Sequence, residues 1–176
     1  MESEAIRWHC TTRVRKFKGD IEEYRRRLGK EEGERRFFAE HAPYADRTIK
    51  DNVLLREGIQ ELWNLLVGET ATVYSEANAR IGVGDSDTTA VDTQTALQGG
   101  NTAFAAMDAG FPVVGALADK KVTFQATFGE DVAEFAWKEW TIDNGSSANK
   151  NLNRKVASLG TKDAGSWMLQ VSISLA

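Results

Sequence analysis

The clearest pattern of apolar and polar positions in the chain lies between residues 51 and 68, DNVLLREGIQELWNLLVG. Leu55, Ile59, Leu62 and Leu66 recur at i, i+4, i+7 and i+11, which draws one apolar stripe along a helix. Asp51 or Asn52 is placed to cap its first turn, and Gly68 to end its last. Gly58 weakens such a helix by roughly 1 kcal/mol relative to alanine, so packing has to hold it. The spacing predicts a helix over 52–67 that covers one side of a sheet. Beyond Gly68 the period changes. VTFQATF, from Val122 to Phe128, alternates cleanly, with Phe124, Ala126 and Phe128 on the same side. GED turns the chain and VAEFAWKEWTI follows, a pattern that predicts an antiparallel hairpin. Asp143 to Asn151 is a polar loop with an Asn-Gly turn signal. LNRKVASL and WMLQVSISL read as two more strands. The second places Trp167, Leu169, Val171, Ile173 and Leu175 on one face. Successive strands with short connections favour antiparallel pairing, because parallel pairs need crossovers of a dozen residues or more.

The first fifty residues are different. Residues 6–18, IRWHCTTRVRKFK, alternate in part: Trp8, Cys10 and Thr12 share a face, with Val14 and Phe17 close to it. A short strand is predicted there. Residues 19–36 are dense in charge and poor in apolar side chains, which suits a helical turn or a loop and cannot build a core alone. The predicted fold class is mainly β: an antiparallel β-sandwich-like domain over 51–176 with one packed amphipathic helix, preceded by an extended charged N-terminal arm over 1–50. The stripe of Leu55, Ile59, Leu62 and Leu66 is expected to pack on a sheet carrying Phe124, Phe128, Leu169, Val171 and Ile173.

Charge sharpens this division. The net charge is −4, from 22 Lys/Arg and 26 Asp/Glu. Residues 1–50 hold 13 of the basic and 10 of the acidic side chains, a net of +3, which leaves −7 on the rest. A basic segment on an acidic body suits contact between copies, or a solvated arm. The run Arg25–Arg27 is flanked by Glu22, Glu23, Glu31 and Glu32 and has no aromatic platform beside it, so no nucleic-acid partner is expected. No apolar run approaches the ~18 residues of a membrane span, and the N-terminus lacks the pattern of a secretion signal. The single cysteine, Cys10, excludes an internal disulfide framework.

ARIGVGDSDTTAVDTQTALQGG, from Ala79 to Gly100, carries the candidate chemistry. DSDTT matches a D-x-D-x-T phosphatase loop, with Asp85 as nucleophile and Asp87 as acid/base. That loop requires alternating strands and helices downstream, and this chain supplies antiparallel strands. GDS matches a lipase nucleophile block at Ser86. A serine needs a histidine base, and both histidines, His9 and His41, precede it. Asp85, Asp87 and Asp92 have the chemistry for a hard cation but not the spacing of a known loop. His9 and Cys10 are neighbours that point apart on a strand, which argues against a zinc site with His41. The chain is therefore expected to have no catalytic residues, no cofactor and no metal site. The loop reads as a strand leaving the core into a Gly-Asp-Ser turn, with Leu97 anchoring the next segment.

The order of segments NVLLREGIQELWNLLVG, ANARIGVGDSDTTAVDTQTALQG, VTFQATFGEDVAEFAWKEWTIDNG and LNRKVASLGTK resembles small virion proteins of tailed bacteriophages. It is also similar to the attachment domain of phage tail-collar fibre proteins. The resemblance covers roughly residues 50–176 and carries no catalytic residues. It implies a β-rich assembly domain located in the virion. The chain shows no heptads or shaft repeats, so an accessory capsid protein, of the decoration or cement kind, is expected ahead of a tail, neck or fibre-attachment component. Its expected partners are other virion proteins, such as the major capsid protein or tail proteins, and further copies of itself. A carbohydrate-binding β-sandwich that stacks exposed tryptophans on a host glycan is the alternative of a different class.

Candidate interface residues follow from this. The arm's apolar anchors are Ile6, Trp8, Phe17, Phe37, Phe38 and Tyr44. In the body, Trp137 and Trp140 have opposite parity in one strand, so one of them is expected to face away from the core. Arg154, next to Lys155, is placed to meet acidic groups of another chain. Deleting residues 1–45 is expected to leave the β-rich body soluble.

Overall fold

The computed structural model describes residues 8–145 and 149–175. In chain order the elements are β1 (Trp8–Phe17), α1 (Ile21–Leu28), α2 (Lys30–Glu40), β2 (Ala45–Lys50), β3 (Val53–Leu54) and α3 (Arg56–Val67). Then come β4 (Arg80–Gly84), β5 (Thr102–Ala106), β6 (Val113–Val114), a 3-10 turn at Leu117–Asp119, β7 (Lys121–Phe128), β8 (Ala136–Asp143), β9 (Asn151–Thr161) and β10 (Ser166–Leu175). The strands form two five-stranded sheets, ordered β2-β1-β10-β7-β6 and β3-β9-β8-β4-β5. Every pairing in them is antiparallel.

The two sheets share one apolar core. The first contributes Cys10, Val14, Phe124, Leu169 and Val171, and the second Ile81, Val83, Trp140 and Ile142. Trp137 meets Phe128 and Trp167 edge-on, with ring centroids 4.8 and 5.0 Å apart. The Trp140 indole donates to Thr12 Oγ1 across the core at 3.0 Å. Each strand sends alternate side chains inward, so the period-2 pattern of β10 becomes a wall of this core.

This is a mixed α/β fold with three helices, and it corrects the predicted sandwich with a single packed helix and an extended arm. β1 lies between β2 and β10 and pairs with β10 over ten residues, from Trp8↔Leu175 to Phe17↔Ser166. The N-terminal segment is thus an inner strand of the first sheet. Its polar alternates, Arg13 and Arg15, stand on the outer face, where Asp46 of β2 pairs with them. Charge on that face is what made the segment resemble an arm. A chain lacking residues 1–45 loses β1, so it is not expected to keep a soluble body. Ile6 lies outside the described residues.

Residues 19–36 are helical rather than loop-like. Asp20 caps α1 by accepting from Glu22 N at 3.0 Å. α1 and α2 form a hairpin on the outer face of the first sheet. There Ile21 and Phe37 join Phe17 and Met168 in a second apolar cluster, with Tyr24 and Phe38 at its edge. Gly33 makes the close approach possible: a Cβ at that position would stand 2.6 Å from the Tyr24 carbonyl oxygen.

Two further expectations are corrected. β7 and β8 do not form a hairpin. β7 pairs with β10 and β6, whereas β8 pairs with β4 and β9, so the turn after Phe128 carries the chain from one sheet to the other. The α3 stripe is not a core stripe either. α3 docks on β9 through Gly58, whose Cβ would come within 2.6 Å of Leu152 Cα and its carbonyl oxygen. The helix buries Gly58 and Glu61, and it turns Leu62 and Leu66 outward. Leu55, at the N-cap in place of Asp51 or Asn52, is fully buried and donates its N–H to the Leu152 carbonyl. The predicted end holds: Gly68 closes α3 in the left-handed conformation, with φ of 76°.

Candidate interaction surface

The GDSDTT segment leaves β4 and runs to β5 without regular structure, and its polar groups are spent on holding it. Asp85 accepts from Asn101 N at 3.1 Å and from Asn101 Nδ2 at 2.6 Å. These bonds, the side-chain one first, hold its carboxyl below the usual range. Ser86 Oγ accepts from Thr88 N at 3.1 Å. Asp87 reaches towards Lys138, and Asp92 pairs with Arg56 at 2.9 Å. Asp85, Asp87 and Asp92 therefore face three different partners. Among the described residues no three His, Cys, Asp or Glu side chains are grouped to hold a metal ion. Cys10 belongs to the core, where burial pushes its thiol up to about 12. His41 stacks on Phe37 in the hairpin cluster.

A buried ion pair clamps this segment to the second sheet. Glu139 and Arg154 are both fully buried, and Arg154 Nε donates to Glu139 Oε2 at 2.6 Å. Arg154 Nη1 donates to the Thr88 carbonyl at 3.0 Å and to Gln94 Oε1 at 2.8 Å. Glu139 in turn accepts the backbone N–H of Gln98 and of Gly99, the latter at 2.7 Å. Such a pair is held by its extra hydrogen bonds, which offset the cost of removing two charges from water. Arg154 is thus an internal organiser rather than an outward contact for another chain.

The hairpin is fixed by a second polar cluster. Arg25 bridges Glu34 and Asp108, at 2.8 Å to each, and also meets Glu22. Asp108 accepts from Thr127 N and Thr127 Oγ1, at 2.9 and 2.7 Å, and so joins the cluster to β7. Burial first, and the Asp108 charge next, raise the Glu34 carboxyl above the usual glutamate range, against the pull of Ala109 N–H and Arg25.

With these groups committed internally, the surface feature that stands out is apolar. On α3, Leu62, Trp63, Leu66 and Val67 are exposed, Leu66 to 72%. Leu62 also lines a groove of about 400 Å³ together with Trp8, Val114, Leu117, Ile173 and Leu175. Leu117 at its rim is 96% exposed, and Lys120 and Lys121 stand beside it. Scattered exposed leucines are ordinary, but a connected set of this size is the chain's candidate interaction surface.

The predicted interface residues distribute unevenly over this picture. Trp8 is half-buried in the groove wall. Phe17 and Phe37 are buried in the hairpin cluster, Phe38 is half-buried beside them, and Tyr44 is exposed. Trp137 and Trp140 are both fully buried, contrary to the parity argument. A register shift between Trp137 and Glu139 rephases β8, so both indoles reach the core. Sequence reasoning missed Leu62, Trp63, Leu66, Val67 and Leu117. The signal was present in Trp63 and Val67, which widen the apolar arc of α3 beyond what one docking face needs.

No family model matches the chain, and no curated protein or solved structure matches it either.

Proposed function

We propose that the chain is a structural protein of a tailed-bacteriophage virion, an accessory capsid protein that stabilises the particle through contacts between subunits. The observation that carries this reading is the connected apolar surface of α3 and the adjoining groove. It lies on a chain whose acidic loop, buried ion pair and His41 are engaged in holding the fold. A surface of this kind serves association with protein. The segment order from residue 50 onward, similar to that of small phage virion proteins, supplies the virion as the setting.

Asp85 and Ser86 serve as turn-forming groups in this reading, so the purified protein hydrolyses neither phosphate monoesters nor esters. The test is mass spectrometry and imaging of purified particles from the source phage. The chain should be present in stoichiometric copies, with its density on the shell. Its absence from particles overturns the proposal, and density confined to the tail or neck moves it to the runner-up position. Glycan binding by the free protein, lost on Trp63→Ala, would favour the carbohydrate-binding alternative.

A further inference from the structure

We propose that the outer face of α3 binds the same face of a second copy of this chain, in a two-fold arrangement with the helices antiparallel. The inference rests on the assembly reading above and names its partner.

Three observations select a second copy as the occupant. The first is self-complementarity. Leu62, Trp63, Leu66 and Val67 fall at i, i+1, i+4 and i+5, the paired ridges that helices interdigitate when they pack. Antiparallel helices crossing between Asn64 and Leu65 set Trp63 against Leu66 of the second copy at the centre, with Leu62 flanking them on one side and Val67 on the other. A large side chain meets a smaller one, and a two-fold interface places that pair twice.

The second is charge. In that arrangement Glu69 of the second copy, exposed just beyond Gly68, lies level with Gln60, within a turn of Leu62 and the groove it lines. The rim of that groove carries Lys120 and Lys121. Opposite charges therefore meet at both ends of the interface, the rim placement in which charge sets register more than affinity. The third is area. The exposed parts of the α3 side chains together with Val114 and Leu117 offer roughly 700 Å² of apolar surface, close to the ~800 Å² that each partner brings to a standard interface.

The test uses the full chain in sedimentation equilibrium over a wide concentration range. A dimer is expected. Leu66→Asp, at an exposed position, should weaken it by at least about a hundredfold while the circular dichroism of the fold stays unchanged. Glu69→Lys should weaken it about five- to tenfold, and Lys120→Glu combined with Lys121→Glu in the same chain should restore it. A monomer at every concentration overturns the proposal, as does a dimer that withstands Leu66→Asp or Glu69→Lys. The two readings fail separately. A monomeric chain found in particles sinks the two-fold contact alone, whereas a dimer of this kind absent from particles keeps the contact and sinks the virion assignment.

Discussion

Two helical regions pack on the sheets, the α1–α2 hairpin on the outer face of the first and α3 against β9 of the second, and they are settled in opposite ways. The α1–α2 hairpin is dense in charge, yet it buries Ile21 and Phe37 completely and locks Arg25 between Glu34 and Asp108. α3 carries the strongest apolar stripe in the chain, yet it docks through a glycine and a glutamate and leaves Leu62, Trp63, Leu66 and Val67 outside. Glu61 is buried because its carboxylate accepts from Thr72 N and Asn144 Nδ2, both at 2.9 Å. The comparison teaches that apolar content does not decide which side of a helix is buried. What decides is whether the opposing surface offers a fit: a pocket for Phe37 beside Met168 in one case, a flat strand that only Gly58 can approach in the other.

Breaking the hairpin should have the largest effect. Phe37→Ala removes a fully buried ring from a cluster of four buried side chains, and it should cost about 3–5 kcal/mol in urea denaturation. A loss below about 1 kcal/mol would mean that the hairpin contributes little to the fold.

Gly58→Ala tests the α3 docking directly. Helix propensity alone favours alanine by roughly 1 kcal/mol. The clash of its Cβ with Leu152 should reverse that sign and destabilise the protein by about 1–3 kcal/mol. A more stable Gly58→Ala protein would show that α3 does not lie this close to β9.

Glu34 gives the hairpin a pH dependence with a definite sign. Its folded-state pKa is raised, by burial first. Its contribution is therefore complete below the ordinary glutamate value and is lost as pH rises through the raised one. Glu34→Gln has no such titration. The stability of the wild type relative to this variant should fall from about pH 4 upward. Asp85, Asp46 and Glu76, whose carboxyls are lowered by their hydrogen bonds, act in the other direction and lose stability as pH falls. They cancel in the comparison of the two proteins, so a difference independent of pH would remove Glu34 from the account.

The smallest effect sharpens the contrast. Leu66→Ser, measured on dilute protein where association is absent, should change stability by no more than about 0.5 kcal/mol, because the side chain has little to lose. A cost near that of Phe37→Ala would place Leu66 in a core.

Much of this was legible along the chain. The alternation of β10, the change of period after Gly68, the exit of β4 into a Gly-Asp-Ser turn and the end of α3 at Gly68 are local properties, and each appears where the pattern puts it. The turn chemistry of the loop was legible too: Asp and Ser after Gly84 suit a turn, and Ser86 Oγ accepts from Thr88 N. The exposure of the α3 face was not legible, because an apolar stripe on a helix looks the same whether a sheet covers it or it stays open. Nor was the role of Arg154, whose partners Glu139, Thr88 and Gln94 lie 15, 66 and 60 residues away.

The amino-acid sequence by itself determined that β1, β4 and β7 to β10 are extended, that α3 is helical and ends at Gly68, and that the strands pair antiparallel. These follow from side-chain periodicity, from glycine and capping residues, and from connections too short for parallel crossovers. Only the tertiary structure decided which strands share a sheet, that β1 is an inner strand rather than an arm, and which face of α3 stays open. Those choices depend on contacts such as Trp8 with Leu175 and Gly58 with Leu152, made between residues far apart in the chain. Period and propensity are sums over neighbours and carry no information about a partner a hundred residues away. The shift after Trp137 marks that limit: local parity sends one of Trp137 and Trp140 outward, and Phe128 and Trp167 hold Trp137 in the core beside Trp140.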